Sequence, residues 1–235
     1  MIISLIIARG GSKSIPMKNL CHLDGKPLIS YPIRAAINCK MIERAILVSD
    51  NENILSVGRE YGTETPFKEP SYLADGTTPD LPVFTYALNW LRDNQNCKPD
   101  IIVHLRATCP LVTKYHIEEA INILMKHPSA DSVRSVNVSE HTPYKMWKDD
   151  GEYIIPFVTC KEESFNMPRQ TLPTVYRHNG YVDVIRYDTI MKKKSMCGDK
   201  VVPYVMPTKT YMPDIDEPID LDIANLYMEY LKKCQ

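Results

Sequence analysis

Ile2-Ile3-Ser4-Leu5-Ile6-Ile7-Ala8-Arg9-Gly10-Gly11-Ser12-Lys13-Ser14-Ile15-Pro16-Met17-Lys18-Asn19 starts as an apolar run and ends as a basic, glycine-containing loop. The apolar part suits a buried strand and is far too short to cross a bilayer. The two glycines let backbone approach a ligand closely. Backbone N–H groups, the Ser12 hydroxyl and the cations Arg9, Lys13 and Lys18 can then surround a polyphosphate. Neither the G-x-x-x-x-G-K-[ST] nor the G-x-G-x-x-G spacing is present. A strand closing in a Gly-rich basic loop still puts nucleotide binding first, with an ordinary basic surface turn as the alternative.

Strand and helix patterns alternate outward from this stretch. Residues 28–39 carry Ile29, Ile33, Ala36 and Ile37 at helical spacing, with Pro32 in the first turn. Arg44-Ala45-Ile46-Leu47-Val48-Ser49-Asp50 reads as a second buried strand, its terminal Ser-Asp suited to capping a helix over 51–61. Residues 69–82 read as loop, leading into a helix with Val83, Ala87 and Leu91 on one face. A third strand, 100–105, runs into Arg106-Ala107-Thr108-Cys109-Pro110. A helix with Ile117, Ala120, Ile121 and Leu124 on one face and a fourth strand, 132–138, follow. This order predicts an α/β fold, a mostly parallel sheet with helices on both faces and ligands at the carboxyl ends of the strands. Arg9, Asp50 and Arg106 all fall at such ends.

The alternation breaks over 141–175, where Pro, Lys, Trp147 and the turn Asp149-Asp150-Gly151 suggest a hairpin or arm projecting from the sheet. It returns over 180–187 and 201–206. The last element, 216–233, has Ile219, Ile223, Leu226 and Tyr230 on one stripe and acids at its start, as a helix dipole prefers.

Bulk composition narrows the classes. The 235 residues fit one domain, residues 1–235, with 141–175 as its arm. A hydrophobic fraction of 44% and a charged fraction of 24% describe a soluble globule. A net charge of −1 argues against a general nucleic-acid or membrane-surface binder, so an anion site must be a local basic cluster. Seven scattered cysteines without a C-x-x-C pair read as reduced thiols of a cytoplasmic protein, and no basic segment precedes the first apolar run as in a signal peptide.

Two groups beyond the loop carry chemistry. Asp214-Ile215-Asp216, extended just before the last helix, points both carboxylates to one side, where they can share Mg²⁺. The alternative is that Asp216 caps the helix and Asp214 is solvated. Pro168-Arg169-Gln170 and Arg177-His178-Asn179-Gly180 add guanidinium forks that match carboxylate or phosphate, and Lys145 stands between Tyr144 and Met146. His104, inside a strand, reads as a satisfied core residue.

Taken together, these stretches resemble one family, the acylneuraminate cytidylyltransferases (CMP-sialic acid synthetases and their nonulosonate relatives). The likeness rests on residues 8–13 with Ile15-Pro16 and Lys18-Asn19, on 105–111, on Pro143-Tyr144-Lys145, and on 168–170. It extends to 177–180 and to Asp214-Ile215-Asp216 with Asp220. The resemblance implies a nucleotidyltransferase fold of the nucleotide-diphospho-sugar transferase type and a homodimer with an exchanged arm. It also implies Mg²⁺-dependent transfer of CMP from CTP to a 2-keto sugar acid, with no second enzymatic domain. By that likeness Arg9, Gly10, Gly11, Ser12, Lys13 and Lys18 hold the triphosphate and Asn19 assists. Arg106, Lys145, Arg169, Arg177 and Asn179 line the sugar side, and Asp214 and Asp216 hold the metal. Three positions depart from the pattern. Glu69 stands where an arginine is common, Val112 where a final arginine is expected, and Asp80 near a common serine. Glu69 and Asp80 thus belong to the nucleotide side with altered chemistry. A carboxylate there can accept from guanine N1 and N2, so a nucleotidyltransferase using GTP or a sugar 1-phosphate is the nearer alternative. A non-catalytic nucleotide-sugar-binding module is the further one.

Overall fold

In a computed structural model, which describes residues 1–207 and 213–234, the opening run is strand β1 (Ile2–Ile7). Its alternation divides the core. Ile3 and Leu5 enter one apolar layer, and Ile6, with Ala8 beyond the strand, enters the other. The chain continues through a small hairpin, β2 (His22–Leu23) and β3 (Lys26–Pro27), helix α1 (Ser30–Asn38), strand β4 (Arg44–Val48) and helices α2 (Glu52–Glu60) and α3 (Asp80–Gln95). Strand β5 (Ile101–Arg106), helix α4 (Lys114–Lys126), strand β6 (Ser132–Val138) and the hairpin β7 (Trp147–Asp149) with β8 (Ile154–Pro156) follow. Strand β9 (Tyr176–Arg186), helix α5 (Tyr187–Met191), strand β10 (Val201–Val205) and helix α6 (Pro218–Lys233) complete it. No helix among the described residues is long and apolar enough to cross a membrane.

The main sheet has the order β10-β6-β9-β5-β1-β4. Strands β4, β1 and β5 are parallel, as are β6 and β10, whereas β9 runs antiparallel to both its neighbours. The mostly parallel sheet therefore holds, with one reversal that strand patterning could not show. Its cause is the segment 139–175, which carries a hairpin and short 3₁₀ turns but no crossover helix, so the chain re-enters from the end where β6 left it. That reversal brings the start of β9, with Arg177 opposite Asn137, to the same edge as the carboxyl ends of β1 and β5.

Both sheet faces are covered. Helices α1, α2 and α4 bury Ile33, Ile54 and Ile121 on one side, and α3 and α5 bury Phe84, Leu88 and Ile190 on the other. A third cluster of Ile15, Leu23, Leu28, Ile215 and Ala224 ties the N-terminal loop to the segment before α6. Two local expectations change. The cap of α2 is Asn51, whose side chain accepts from Asn53 N and Ile54 N, while Asp50 turns back to the loop after β1. The α6 stripe of Ile219, Ile223, Leu226 and Tyr230 faces outward, each 41–66% exposed, and the helix packs instead through Ala224, Leu221 and Met228. Asn51→Ala should destabilise the fold by about 1 kcal/mol, read by urea unfolding, through loss of that cap.

Candidate active site

The loop after β1 is held by its own neighbours. Gly10 N–H donates to Asp50 Oδ1 at 2.8 Å, and a Cβ on Gly10 would lie 2.9 Å from Asn51 Cβ, so glycine is required there. Gly11 by contrast faces open space. Asn19, 5% exposed, donates from Nδ2 to the Arg9 carbonyl at 2.9 Å and so pins the two ends of the loop together. Met17, at φ +51°, starts the short 3₁₀ turn that carries Lys18. Lys18 Nζ then meets Asp216 Oδ1 at 2.9 Å, and the Ser14 hydroxyl donates to the Asp216 carbonyl.

The acids are fixed from the other side. Ile215 is fully buried and its N–H donates to Thr108 O at 3.0 Å, beyond the end of β5. Asp214 and Asp216 on either side of it are exposed, the alternation expected of an extended segment. The cap of α6 is Glu217, in a reciprocal box with Asp220, so Asp216 is not occupied in capping. Loop and acids together border a cleft of about 340 Å³ at the carboxyl ends of β1 and β5. Its walls are Arg9, Ser12, Lys18 and Asn19, then Glu69, Leu73, Ala74, Thr78, Asp80 and Val83, then His104, Arg106 and Thr108, with Asp216.

Under this cleft lies a buried charge cluster. Asp183, 1% exposed on β9, is 3.0 Å from His178 Nε2, 3.3 Å from Arg106 Nη1 and 3.3 Å from Arg134 Nε. Burial raises its proton affinity, but the His178 hydrogen bond and the Arg106 charge outweigh that and hold the carboxyl well below the usual range. Arg106 also donates to Gly180 O at 3.1 Å and approaches Asp80 at 3.9 Å. Gly180 sits at φ +75°, where a Cβ would come within 3.2 Å of Arg106 Cδ, so glycine lets β9 approach. His104 is buried, yet its Nδ1 has no hydrogen-bond partner, which corrects the satisfied core residue expected of it. Burial, then the Arg106 charge, lowers its pKa and keeps the ring neutral.

Glu69 is the other buried acid. It is 3% exposed at the cleft wall, its N–H donates to Ser49 O at 2.8 Å, and its Oε2 has no hydrogen-bond partner. Burial and the nearby Asp50 push its pKa up to about 7, against the opposing pull of Arg9. The loop that carries it toward α3 is braced by Asp75, which accepts from the N–H groups of Thr77 and Thr78.

The cleft thus gathers Arg9, Ser12, Lys18, Asn19, Glu69, Asp80, Arg106 and Asp216. Asp214 stands just outside it, within 4.0 Å of the buried Cys109 thiol, and Lys13 is exposed beyond its rim. Arg169 borders a separate cavity of about 360 Å³ with Ser139 and Thr142, and Lys145 and Arg177 are exposed. The Asn179 amide is engaged internally, accepting from Ser135 Oγ at 2.6 Å and donating to Asn137 Oδ1 at 2.9 Å. Sequence reasoning missed Asp183 and the anchoring role of Asp50. A lone acid inside Tyr181-Val182-Asp183-Val184-Ile185 was the available signal, since an unpaired charge in such a run is costly.

A family model described as cytidylyltransferase matches residues 3–196. The chain is 37% identical over 228 residues to the pseudaminic acid cytidylyltransferase of Campylobacter jejuni, covering 94% of each protein. It is 29% identical over 226 residues to the N-acylneuraminate cytidylyltransferase of Oncorhynchus mykiss, covering 95% of this chain and 49% of that one, so it spans about half that relative's length. The solved structure of CMP:2-keto-3-deoxy-manno-octonic acid synthetase complexed with CTP matches 97% of this chain and 98% of its own, at TM-score 0.69 and 14% identity, a likeness of fold. A model spanning most of the chain and a relative matched nearly end to end bear out the resemblance read from the motifs: this chain belongs to the cytidylyltransferase family.

Proposed function

We propose that this cytidylyltransferase transfers CMP from CTP to a nonulosonic, sialic-acid-like 2-keto sugar acid, releasing pyrophosphate. The observation that carries the reading is the Lys18–Asp216 pair across the cleft. It sets a cation and an anion side by side at the point where a triphosphate and a divalent ion would each claim one of them. The sugar's anomeric hydroxyl attacks the α-phosphorus. One P–O bond forms, the bond to the β-phosphate oxygen breaks, and the hydroxyl proton leaves to solvent. Arg9, Ser12 and Lys18 hold the phosphates, with Lys13 at the rim and the Gly10-Gly11 backbone beside them.

Asp214 and Asp216 fit Mg²⁺: both are exposed hard-oxygen donors flanking the buried Ile215 of an anchored extended segment, with Asp216 beside Lys18. Two such carboxylates suit an ion that keeps waters and shares substrate phosphates. When bound, the ion supplies charge neutralisation at the phosphate oxygens. Arg106, Lys145, Arg169 and Arg177 address the sugar acid, with Asn179 bracing the strand that carries Arg177. An acceptor lacking the carboxylate would leave a guanidinium unpaired. We also propose a homodimer through the arm, supported by Trp147, Tyr153, Ile154 and Phe157, each 45–69% exposed on the β7–β8 hairpin and its exit. A cytoplasmic setting is supported by seven free cysteines.

Pyrophosphate release measured across the four nucleotides and both acceptor classes tests the reading. CTP with a nonulosonate is expected to react, and release only with sugar 1-phosphates would contradict it. Arg9→Ala should raise the KM for CTP by about tenfold to a hundredfold, the worth of one charged hydrogen bond. An unchanged KM would refute its phosphate role.

A further inference from the structure

The proposed reaction leaves Glu69 without a task, although it is the carboxyl most in need of one. It is almost fully buried, faces the cleft, and has an oxygen with no hydrogen-bond partner. Burying such a group without a partner is costly, so either a proton or a ligand must satisfy it. The cleft beside it is walled by Leu73, Ala74 and Val83, an apolar slot of the kind a flat ring enters. Protonation decides what edge the carboxyl can read. As a neutral acid it presents one donor beside one acceptor, and as a carboxylate it presents acceptors alone. Cytosine offers ring N3 as acceptor beside its exocyclic N4 donor, matching the neutral acid. Guanine offers two adjacent donors, N1 and N2, matching the carboxylate.

We propose that Glu69 reads the nucleobase as a neutral carboxylic acid paired with N3 and N4 of cytosine, and that its ionisation shifts the cleft from CTP toward GTP. This rests on the cleft being the nucleotide site. The neighbours of Glu69 support the neutral form at moderate pH. Asp50 at the end of β4 repels a second negative charge, against the attraction of Arg9 at the end of β1. The remaining charges around the cleft are Lys18 and Asp216, already paired with each other, and Asp80 beside Arg106; His104 is neutral.

The sign follows from the competent fraction. As pH rises through about 7, the neutral form is depleted and CTP binds more weakly. Between pH 6 and pH 8.5 the ratio of the CTP to the GTP dissociation constant should rise about 300-fold, about 30-fold from loss of the neutral form that CTP needs and about 10-fold from gain of the ionised form that GTP needs. Calorimetric titration of the full chain with CTP and with GTP, in Mg²⁺ at several pH values, reads that ratio. Ionisation of the γ-phosphate is common to both nucleotides and cancels. Glu69→Gln, whose amide keeps a donor beside an acceptor at every pH, should hold the CTP-to-GTP ratio nearly constant from pH 6 to pH 8.5. A wild-type ratio flat across the range, or a Glu69→Gln slope equal to the wild-type slope, would overturn the proposal while leaving the nucleotide site intact. Binding of neither nucleotide at any pH would instead sink the site assignment and this inference with it. The wild-type ratio decides alone should the variant not fold.

Discussion

Asp216→Ala is expected to lower kcat/KM for pyrophosphate release from CTP and a nonulosonate by about a thousandfold, since a metal ion contributes several kcal/mol at about 1.4 kcal/mol per decade. The expectation follows from where the residue is held. Ile215 anchors the segment to Thr108, the 3₁₀ turn brings Lys18 to its carboxylate, and Glu217 takes over the cap of α6, which leaves Asp216 free for the cleft. A second measurement separates a metal role from general damage. Removing Asp216 frees Lys18 from its partner, so CTP binding without Mg²⁺ should hold or tighten while the Mg²⁺-dependent rate collapses. A variant within tenfold of the wild-type rate would remove Asp216 from the reaction.

The second large effect concerns stability. Asp183→Asn should cost about 3 kcal/mol, because it leaves the cations of Arg106 and Arg134 facing a buried group with no charge. Those partners are a quarter or so exposed, which keeps the cost at the lower end of the range for broken buried pairs. The pH dependence has a definite sign. Burial raises the proton affinity of Asp183, but His178 and Arg106 together hold its folded pKa below the unfolded value of about 3.9. Its contribution is therefore complete above the unfolded pKa and is lost as pH falls through the folded one. Urea unfolding at neutral pH should show the full difference between wild type and Asp183→Asn; the gap closes only at the low folded pKa, and roughly 1 kcal/mol of it should be gone by about pH 3. Parallel curves down to that pH would mean that Asp183 is not the buried counter-charge.

Most of the frame was legible because its strands and helices declare themselves by periodicity. Residues 132–138 are a strand with the expected bounds, and Ile117, Ala120, Ile121 and Leu124 are all fully buried on α4. Direction was not legible. The apolar run of β9 reads the same whether parallel or antiparallel, and only the missing crossover helix decides it. A stripe shows that a helix has an apolar face but not what meets it, hence the outward Ile219 and Leu226. Capping was misjudged by one residue because Ser, Asp and Asn are all good caps and all three stand in a row at 49–51. In the site, the basic loop and the twin acids were readable as local patterns. Asp183 and the unsatisfied His104 were not, since their meaning lies in groups that β5, β6 and β9 bring together across the sheet.

A crystal structure with CTP and Mg²⁺ would show whether the basic loop of β1 and the acids before α6 flank one metal-bound triphosphate. The phosphates should lie between Arg9, Ser12 and Lys18, with an ion about 2.1 Å from an oxygen of Asp216 and the base toward Glu69. A nucleotide bound elsewhere, or phosphates in this cleft with the ion held away from both Asp214 and Asp216, would contradict that arrangement.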